Sequence, residues 1–553
     1  MRIVLPGFCV LVSLSSLPGG MALAQRPTQV KAQATEQSIS LSLAEAIELA
    51  LAQDYALRQS RLSLETAEAQ VDEVWGSVYP SVNLNAGYTR NFEAANPFAG
   101  SNAGGLFGGL GAIDWLAFNE AARTDDDPNT NPIPIGEFFE RQAAGRAAAG
   151  IEDNSGGNPF FVPNQFNASI TVNQLLYNGG TFDAIEGARV FEGQSAEGVR
   201  QRAHQVVSEV GQAYYGVLLA QAGESVLARS VERARAAVDE AKKRVDRGVA
   251  PKFHLLTAEV ELTNLETRRL QASNQVGQAE DALRLALALP TARTLTLTEQ
   301  LAPPAPDDET IDLASAEVPE APEATEDDTP LPDLDRAIDD ALEKRPDVAQ
   351  LRLTLKYQGI LREAARSDFG PRVEAFVQGG YVGQVPDDRT RVVSDPDDPF
   401  SFRQEDVSFF SGDYWFPTVS AGITLSWNIF DGFATTARVE QQTLAVRRTQ
   451  VQYEQVTAGV RVEVAGAHRA LAEAKARMKA QARNVGQAAL NYAHARVRVK
   501  EGVSSQIELR AASEQLDQAR LNRLQAVHDH RVAQLAFLVA TGQPPHLNTR
   551  GTP

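Results

Sequence analysis

The stretch Arg244–Pro251 reads RVDRGVAP, and Arg498–Ser505, 254 residues later, reads RVKEGVSS. Each sets a glycine, the residue most tolerant of left-handed backbone, between two long runs of helical period. From Val199 to Val245, alternating steps of four and three residues land on apolar side chains at every position but Glu224. Adding 254 gives a second seam in the same register, Tyr453 to Val499. A 3.5-residue repeat held this long imposes a left-handed supercoil on neighbouring helices. After each turn a further seam begins, Leu255 to Ala286 and Leu509 to Ala540, and both are interrupted by arginine at one equivalent place, Arg269 and Arg523. The turns therefore join antiparallel helices. The first helix, about 181 to 247, is on the order of 100 Å long at roughly 1.5 Å per residue.

The duplication extends beyond the turns. LSLAEAIELAL from Leu41 is answered by LPDLDRAIDDAL from Leu331, with Ala46-Ile47 matching Ala337-Ile338 and Pro80 matching Pro371 at an offset of 291. QLLYNGG (Gln174–Gly180) is answered by WNIFDGF (Trp427–Phe433). Two structural repeats follow, 41–300 and 333–545, with a linker at 301–332. Positions 299–333 carry twelve acids, seven prolines and no Lys or Arg, too little apolar area to offset ordering entropy. A tail covers 546–553.

Four segments switch to period 2: 80–90, 166–176, 371–381 and 417–428. In each, apolar residues such as Val82, Leu84, Ile170, Val377 and Ile423 alternate with small polar ones such as Asn83, Asn85, Thr171 and Ser420. Lengths near ten residues with one apolar and one polar face suit transmembrane barrel strands, and a water-soluble sheet packed on a helix would alternate in the same way. The first pair is joined by about 75 residues rich in Gly, Asn and Pro and the second by about 35 rich in Asp, both read as loops. Four strands cannot close a barrel, and an open edge is not tolerated in lipid, so the chain must oligomerise. Two copies give eight strands and three give twelve; periodicity does not choose.

Composition narrows the function. A net charge of −19 over 553 residues argues against nucleic acid as a partner. MRIVLPGFCVLVSLSSLPGGMALA fits a secretory signal over 1–24, followed by a flexible segment over 25–40. The only cysteine, Cys9, lies inside that signal, so the mature chain has no disulfide or thiol chemistry. No apolar run is long enough for a spanning helix.

In its duplicated order of helix, strand pair and long hairpin, with the SLAEAIELAL opening, the YNGG and FDGF junctions and the two glycine turns, the chain resembles the TolC-like outer-membrane factors over about residues 41–545. The resemblance implies a mainly α protein with transmembrane β structure: a homotrimer closing a twelve-stranded barrel in outer-membrane lipid above a helical coiled-coil tunnel that crosses the periplasm. It implies a passive exit duct of an efflux pump or type I secretion system. Its partners would be a periplasmic adaptor and an inner-membrane pump or ABC transporter. It places the glycine turns at a gated, adaptor-docking tip, so the candidate residues are Gly248, Val249, His254, Gly502, Ser504 and Glu508. The family's best-studied form has an acid and an arginine where this chain has His254 and Ser504.

The alternatives are a periplasmic coiled-coil adaptor or a structural protein without a channel. An adaptor would carry one hairpin and lipoyl-like halves. A hydrolase would need a nucleophile and base or a metal cluster, but His204, His254, His468, His494, His528, His530 and His546 are scattered. His528 and His530 point two ways on a helix. The sequence therefore points to no enzyme, cofactor or metal. Ser505–Glu508 reads as a capping box starting the return helix, and Pro251 as the first position of the other.

Overall fold

The computed structural model describes residues 39–93, 104–125, 131–151, 161–290, 293–302, 330–395 and 398–544. The expected signal (1–24), nearly all of the linker and the tail lie outside them. In chain order the elements are β1 (Ile39–Leu41), α1 (Leu43–Gln53), α2 (Tyr55–Gly76), β2 (Ser81–Arg90), α3 (Gly104–Thr124), α4 (Ile135–Ala148) and β3 (Asn164–Tyr177). The hairpin α5 (Gly179–Asp246) and α6 (Lys252–Ala286) follows, then β4 (Leu295–Leu297), α7 (Leu334–Lys344), α8 (Pro346–Ser367) and β5 (Arg372–Val385). The chain ends with β6 (Thr390–Ser394), β7 (Phe402–Asp406), β8 (Trp415–Ser426) and the hairpin α9 (Ala434–Lys500) and α10 (Gln506–Ala540).

The main sheet has the order β2-β3-β5-β8, antiparallel throughout. Its register aligns apolar side chains in continuous rows across all four strands. One row is Val82, Val172, Val377 and Ala421; another is Leu84, Ile170, Gly379 and Val419. The other face carries Asn83, Thr171, Gln378 and Ser420. The apolar face is uncovered: Leu84, Ile423 and Val419 are 72%, 71% and 83% exposed. A sheet packed on a helix would bury these residues, so this register fits lipid and not a soluble core.

The strand bounds differ from the sequence reading. The expected 371–381 runs on to Val385, because Val382–Val385 pair with Asn164–Asn167 and extend β3 as well. The expected 417–428 becomes Trp415–Ser426. Trp427 leaves the ladder and its indole donates to the Phe369 carbonyl at 2.9 Å. The loops are not structureless: the first contains α3 and α4, and the second contains the β6–β7 hairpin. Phe400 from the second loop packs edge-on to Phe118 and Phe138 from the first, at ring-centre distances of 5.3 and 5.5 Å. Ile39 and Ser40, expected to be flexible, pair in parallel with Leu295 and Thr296.

The single helix expected before each strand pair is broken in both repeats, at Asp54 and Arg345, residues related by the offset of 291. Both have extended backbone with ψ 129°. Arg345 precedes Pro346, whose ring disfavours helical geometry for the residue before it. Asp54 has no following proline; its carboxylate instead caps α2 by accepting from Leu57 N at 2.6 Å, and it also accepts from Arg202 at 3.3 Å.

No seam position of α5, from Val199 to Val245, is fully exposed, and none of its counterparts on α9 is. Helix α5 contacts α6, α10, α8 and α2, while α9 contacts α10 and α8. Around α5, Val206, Val207, Val210, Tyr214 and Val217 join Ala46, Ile47 and Ala50 of α1 in the largest core, and Tyr214 Oη donates to the Leu41 carbonyl at 3.1 Å.

His204 is buried near the break at Arg345. Burial, with Arg200 and Arg345 nearby and only Asp347 opposing, lowers its pKa from 6.5 to about 4. The unfolded chain therefore binds this proton near pH 6.5 and the fold resists it down to about 4. Stability is complete above 6.5 and falls with pH through that window, by at most about 3 kcal/mol. Thermal unfolding between pH 7 and 4.5 should show this slope, and His204→Leu should flatten it.

Candidate functional site

Gly248 and Gly502 take φ of +72° and +77°, the left-handed region where a side chain would be strained. Each ends its helix with two backbone bonds. Gly248 N donates to Val245 O at 2.9 Å and Val249 N to Arg244 O at 3.0 Å. Gly502 N donates to Val499 O at 3.1 Å and Val503 N to Arg498 O at 2.8 Å. The same local chemistry thus builds both turns, and both lie at the end of the hairpins remote from the sheet.

The return helices start differently. Ser505 caps α10 by accepting from Glu508 N at 3.3 Å, while the Glu508 carboxylate accepts from the Ser504 hydroxyl and not from the cap backbone. Arg498 Nη2 lies 4.0 Å from Glu508. Pro251, read in the sequence as the first helical residue, is the N-cap of α6 with extended backbone, ψ 147°, and makes no side-chain cap. His254 is exposed on the first turn of α6, its ring 6.0 Å from that of Phe253. Ser504, Glu508 and Arg498 therefore form one cluster within the chain, and His254 stands apart on the neighbouring hairpin.

The sequence reading missed the apolar character of the tip. Val249 and Phe253 are 72% and 68% exposed, and their counterparts at the same offset of 254, Val503 and Ile507, are 77% and 72% exposed. The offset itself was the available signal, because it places an apolar pair at equivalent positions of both turns.

Behind the tip the two hairpins are joined by polar contacts between α5 and α10. Asp517 accepts from Ser230 Oγ at 2.7 Å and pairs with Arg233. Arg510 lies 3.9 Å from Glu261 on α6. Higher up, the seam arginines diverge. Arg269 pairs with Glu224 at 2.9 Å, but the residue 254 positions after Glu224 is Met478. Arg523, on the helix flanked by both α5 and α9, is buried with Nε and Nη2 lacking partners among the described residues, and burial lowers its pKa.

Among the described residues no three metal-binding side chains come together. His468 Nε2 lies 3.0 Å from the Pro332 carbonyl, His528 faces Asp529 at 3.2 Å, and His530 is buried in the α10 seam. His546 lies outside the described residues. No described helix is long and apolar enough to cross a membrane.

Comparison with known proteins bears on this arrangement. The family model described as outer membrane efflux protein matches residues 147–289 and 337–543, more than half of the chain and one segment in each repeat. Protein CyaE of Bordetella pertussis is 22% identical over 514 residues, covering 93% of this chain and 86% of that one. Among solved structures, the outer membrane protein VceC of Vibrio cholerae superposes with a TM-score of 0.61 at 14% identity, covering 91% of this chain and 96% of that one. The open state of the MtrE outer membrane channel of Neisseria gonorrhoeae gives 0.57 at 16% identity, covering 91% and 89%. CusC gives 0.61 at 16% identity, covering 90% and 92%.

Met478→Glu should give Arg523 the partner that Glu224 gives Arg269. It should raise the stability of the second hairpin by on the order of 1–3 kcal/mol. Differential scanning calorimetry of the purified protein checks this, with Met478→Gln, which supplies no charge, giving a smaller gain.

Proposed function

The chain belongs to the outer membrane efflux protein family, and on that premise we propose how its single-chain geometry becomes a conduit. The protein is an outer-membrane exit channel that extends into the periplasm. The observation that carries the detailed reading is the sheet: four strands, an uncovered apolar face and two open edges, β2 and β8. In an antiparallel sheet of four, the first and last strands run in opposite directions. The β8 edge of one chain therefore continues antiparallel onto the β2 edge of the next, and three chains close twelve strands around one polar lumen. The helices follow the same rotation. α6 and α9, each paired on one side within the chain, meet neighbouring copies on the other and complete a twelve-helix tunnel.

The tip turns then form a ring of six at the periplasmic end. The residues assigned there are Gly248, Val249, His254, Gly502, Ser504 and Glu508, joined by Phe253, Val503 and Ile507. Their exposed apolar side chains make the tip a surface for docking a periplasmic adaptor, whose partner in the inner membrane supplies the energy that a passive duct lacks. The two repeats occupy roughly 41–300 and 333–545, with the acidic linker 301–332 between them in sequence.

At the aperture, three copies of Glu508 alternate with three of His254. Glu508 is tied to Ser504 and only loosely to Arg498, so its charge faces the opening and favours cations. Planar-bilayer recordings should show cation selectivity. Glu508→Gln should lose the selectivity. Selectivity unchanged in Glu508→Gln places the constriction elsewhere.

A further inference from the structure

Just beneath the sheet, α5 is flanked by α2 and α8 of the same chain. The three line an open groove of about 660 Å³, large enough for part of a small amphiphile. Its apolar lining comes from Trp75 of α2, Phe182, Ile185 and Val190 of α5, and Leu353 of α8. Its rim carries three charges, Glu186 and Arg189 of α5 and Lys356 of α8. Lys356 Nζ lies 3.0 Å from Glu186. Arg189 lies over the Trp75 ring, 5.5 Å from its centre, and has no carboxylate partner among the described residues.

The groove has a direction. Trp75 stands shortly before β2 begins at Ser81, and Phe182 shortly after β3 ends at Tyr177. At about 1.5 Å per helical residue these two rings lie within roughly 10 Å of the strand ends. Glu186 and Arg189 follow one and two turns further from the sheet. Trp75 and Phe182 thus mark the end of the groove nearer the membrane, and Val190 and Leu353 the end nearer the periplasm. It also has a side. Tyr214 faces β1 through its bond to Leu41, and twenty-five residues at about 100° each bring Arg189 to within roughly 20° of the same face. Elements β1, β4 and α1 would block a tunnel if they lay inside it, so this face is the outer one.

We propose that this groove seats an inner-leaflet phospholipid with an amine-bearing headgroup. Its phosphate lies between Arg189 and Lys356, its ammonium at Glu186, and an acyl chain runs along Trp75 and Phe182 toward the sheet. The charges fit a zwitterion better than a simple anion, because Glu186 shares the rim with the two cations. A second carboxylate, Asp183, sits one turn nearer the sheet, and burial with Glu363 and Glu186 nearby raises its pKa, so a local cation is welcome there. The inference rests on the outer-membrane reading above.

Native mass spectrometry of the delipidated assembly, titrated with phosphatidylethanolamine or phosphatidylglycerol, tests it. The wild-type protein should retain phosphatidylethanolamine in preference, up to one per chain. The Arg189→Gln/Lys356→Gln double variant should bind it about tenfold more weakly, the cost of losing charge-assisted contacts. Glu186→Gln should erase the preference over phosphatidylglycerol. Unchanged retention by the double variant, or equal binding of the two lipids by the wild type, overturns the proposal. Brominated phosphatidylethanolamine should quench wild-type fluorescence more than that of Trp75→Phe, and equal quenching also overturns it. The same spectra report the oligomer's mass, so a failure of the channel reading is distinguishable from an empty groove.

Discussion

An unpaired strand edge cannot rest in hydrocarbon, where each orphaned N–H and C=O costs several kcal/mol. This chain carries two such edges, β2 and β8, on a sheet whose apolar face is bare. Everything else is arranged around closing them. The duplication supplies an even number of strands, so the two edges are complementary in direction. The helices that descend from the strand ends must then close by the same rotation, while the seams of α5 and α9 hold each chain's own helices together.

The helical body meets the demand with slender coils. Alanine at seam positions lets helices approach closely, and the 3.5-residue period keeps the contacts aligned as the helices wind around one another. Side-chain bonds hold the two hairpins of one chain in register where the seams are narrow, as Asp517 does between Ser230 and Arg233. The breaks at Asp54 and Arg345 let short helices fold back onto the long ones. Arg345 fixes its break by donating to Asp347 and to the Ala540 carbonyl, at 2.8 and 3.1 Å.

Much of this was legible in the sequence because side-chain direction follows backbone period. Alternation in Val82, Leu84 and Ala86 marks a strand face, and steps of three and four from Val199 mark a coil seam. What was not legible depends on contacts between distant residues. The β1–β4 pair is three residues long on each strand and joins segments about 256 positions apart, and so short a strand carries no measurable period. Helix α3 begins in GGLFGG, whose glycines read as loop. Arg269 and Arg523 look equivalent in sequence, but Arg269 pairs with Glu224 on an edge helix, whereas Arg523 lies on α10 between α5 and α9 and has Met478 at the position equivalent to Glu224. At the tip, the glycines were evident from their spacing. The cluster of Ser504, Glu508 and Arg498 was not, since it needs the actual turn geometry.

The most direct test of closure is the mass of the detergent-extracted mature protein under native conditions. Closure by edge pairing predicts a single species of three chains, resistant to dilution, with no folded smaller form. A stable monomer or dimer that keeps its β-sheet circular-dichroism signal would mean that β2 and β8 are protected in some other way, and would contradict closure by three copies.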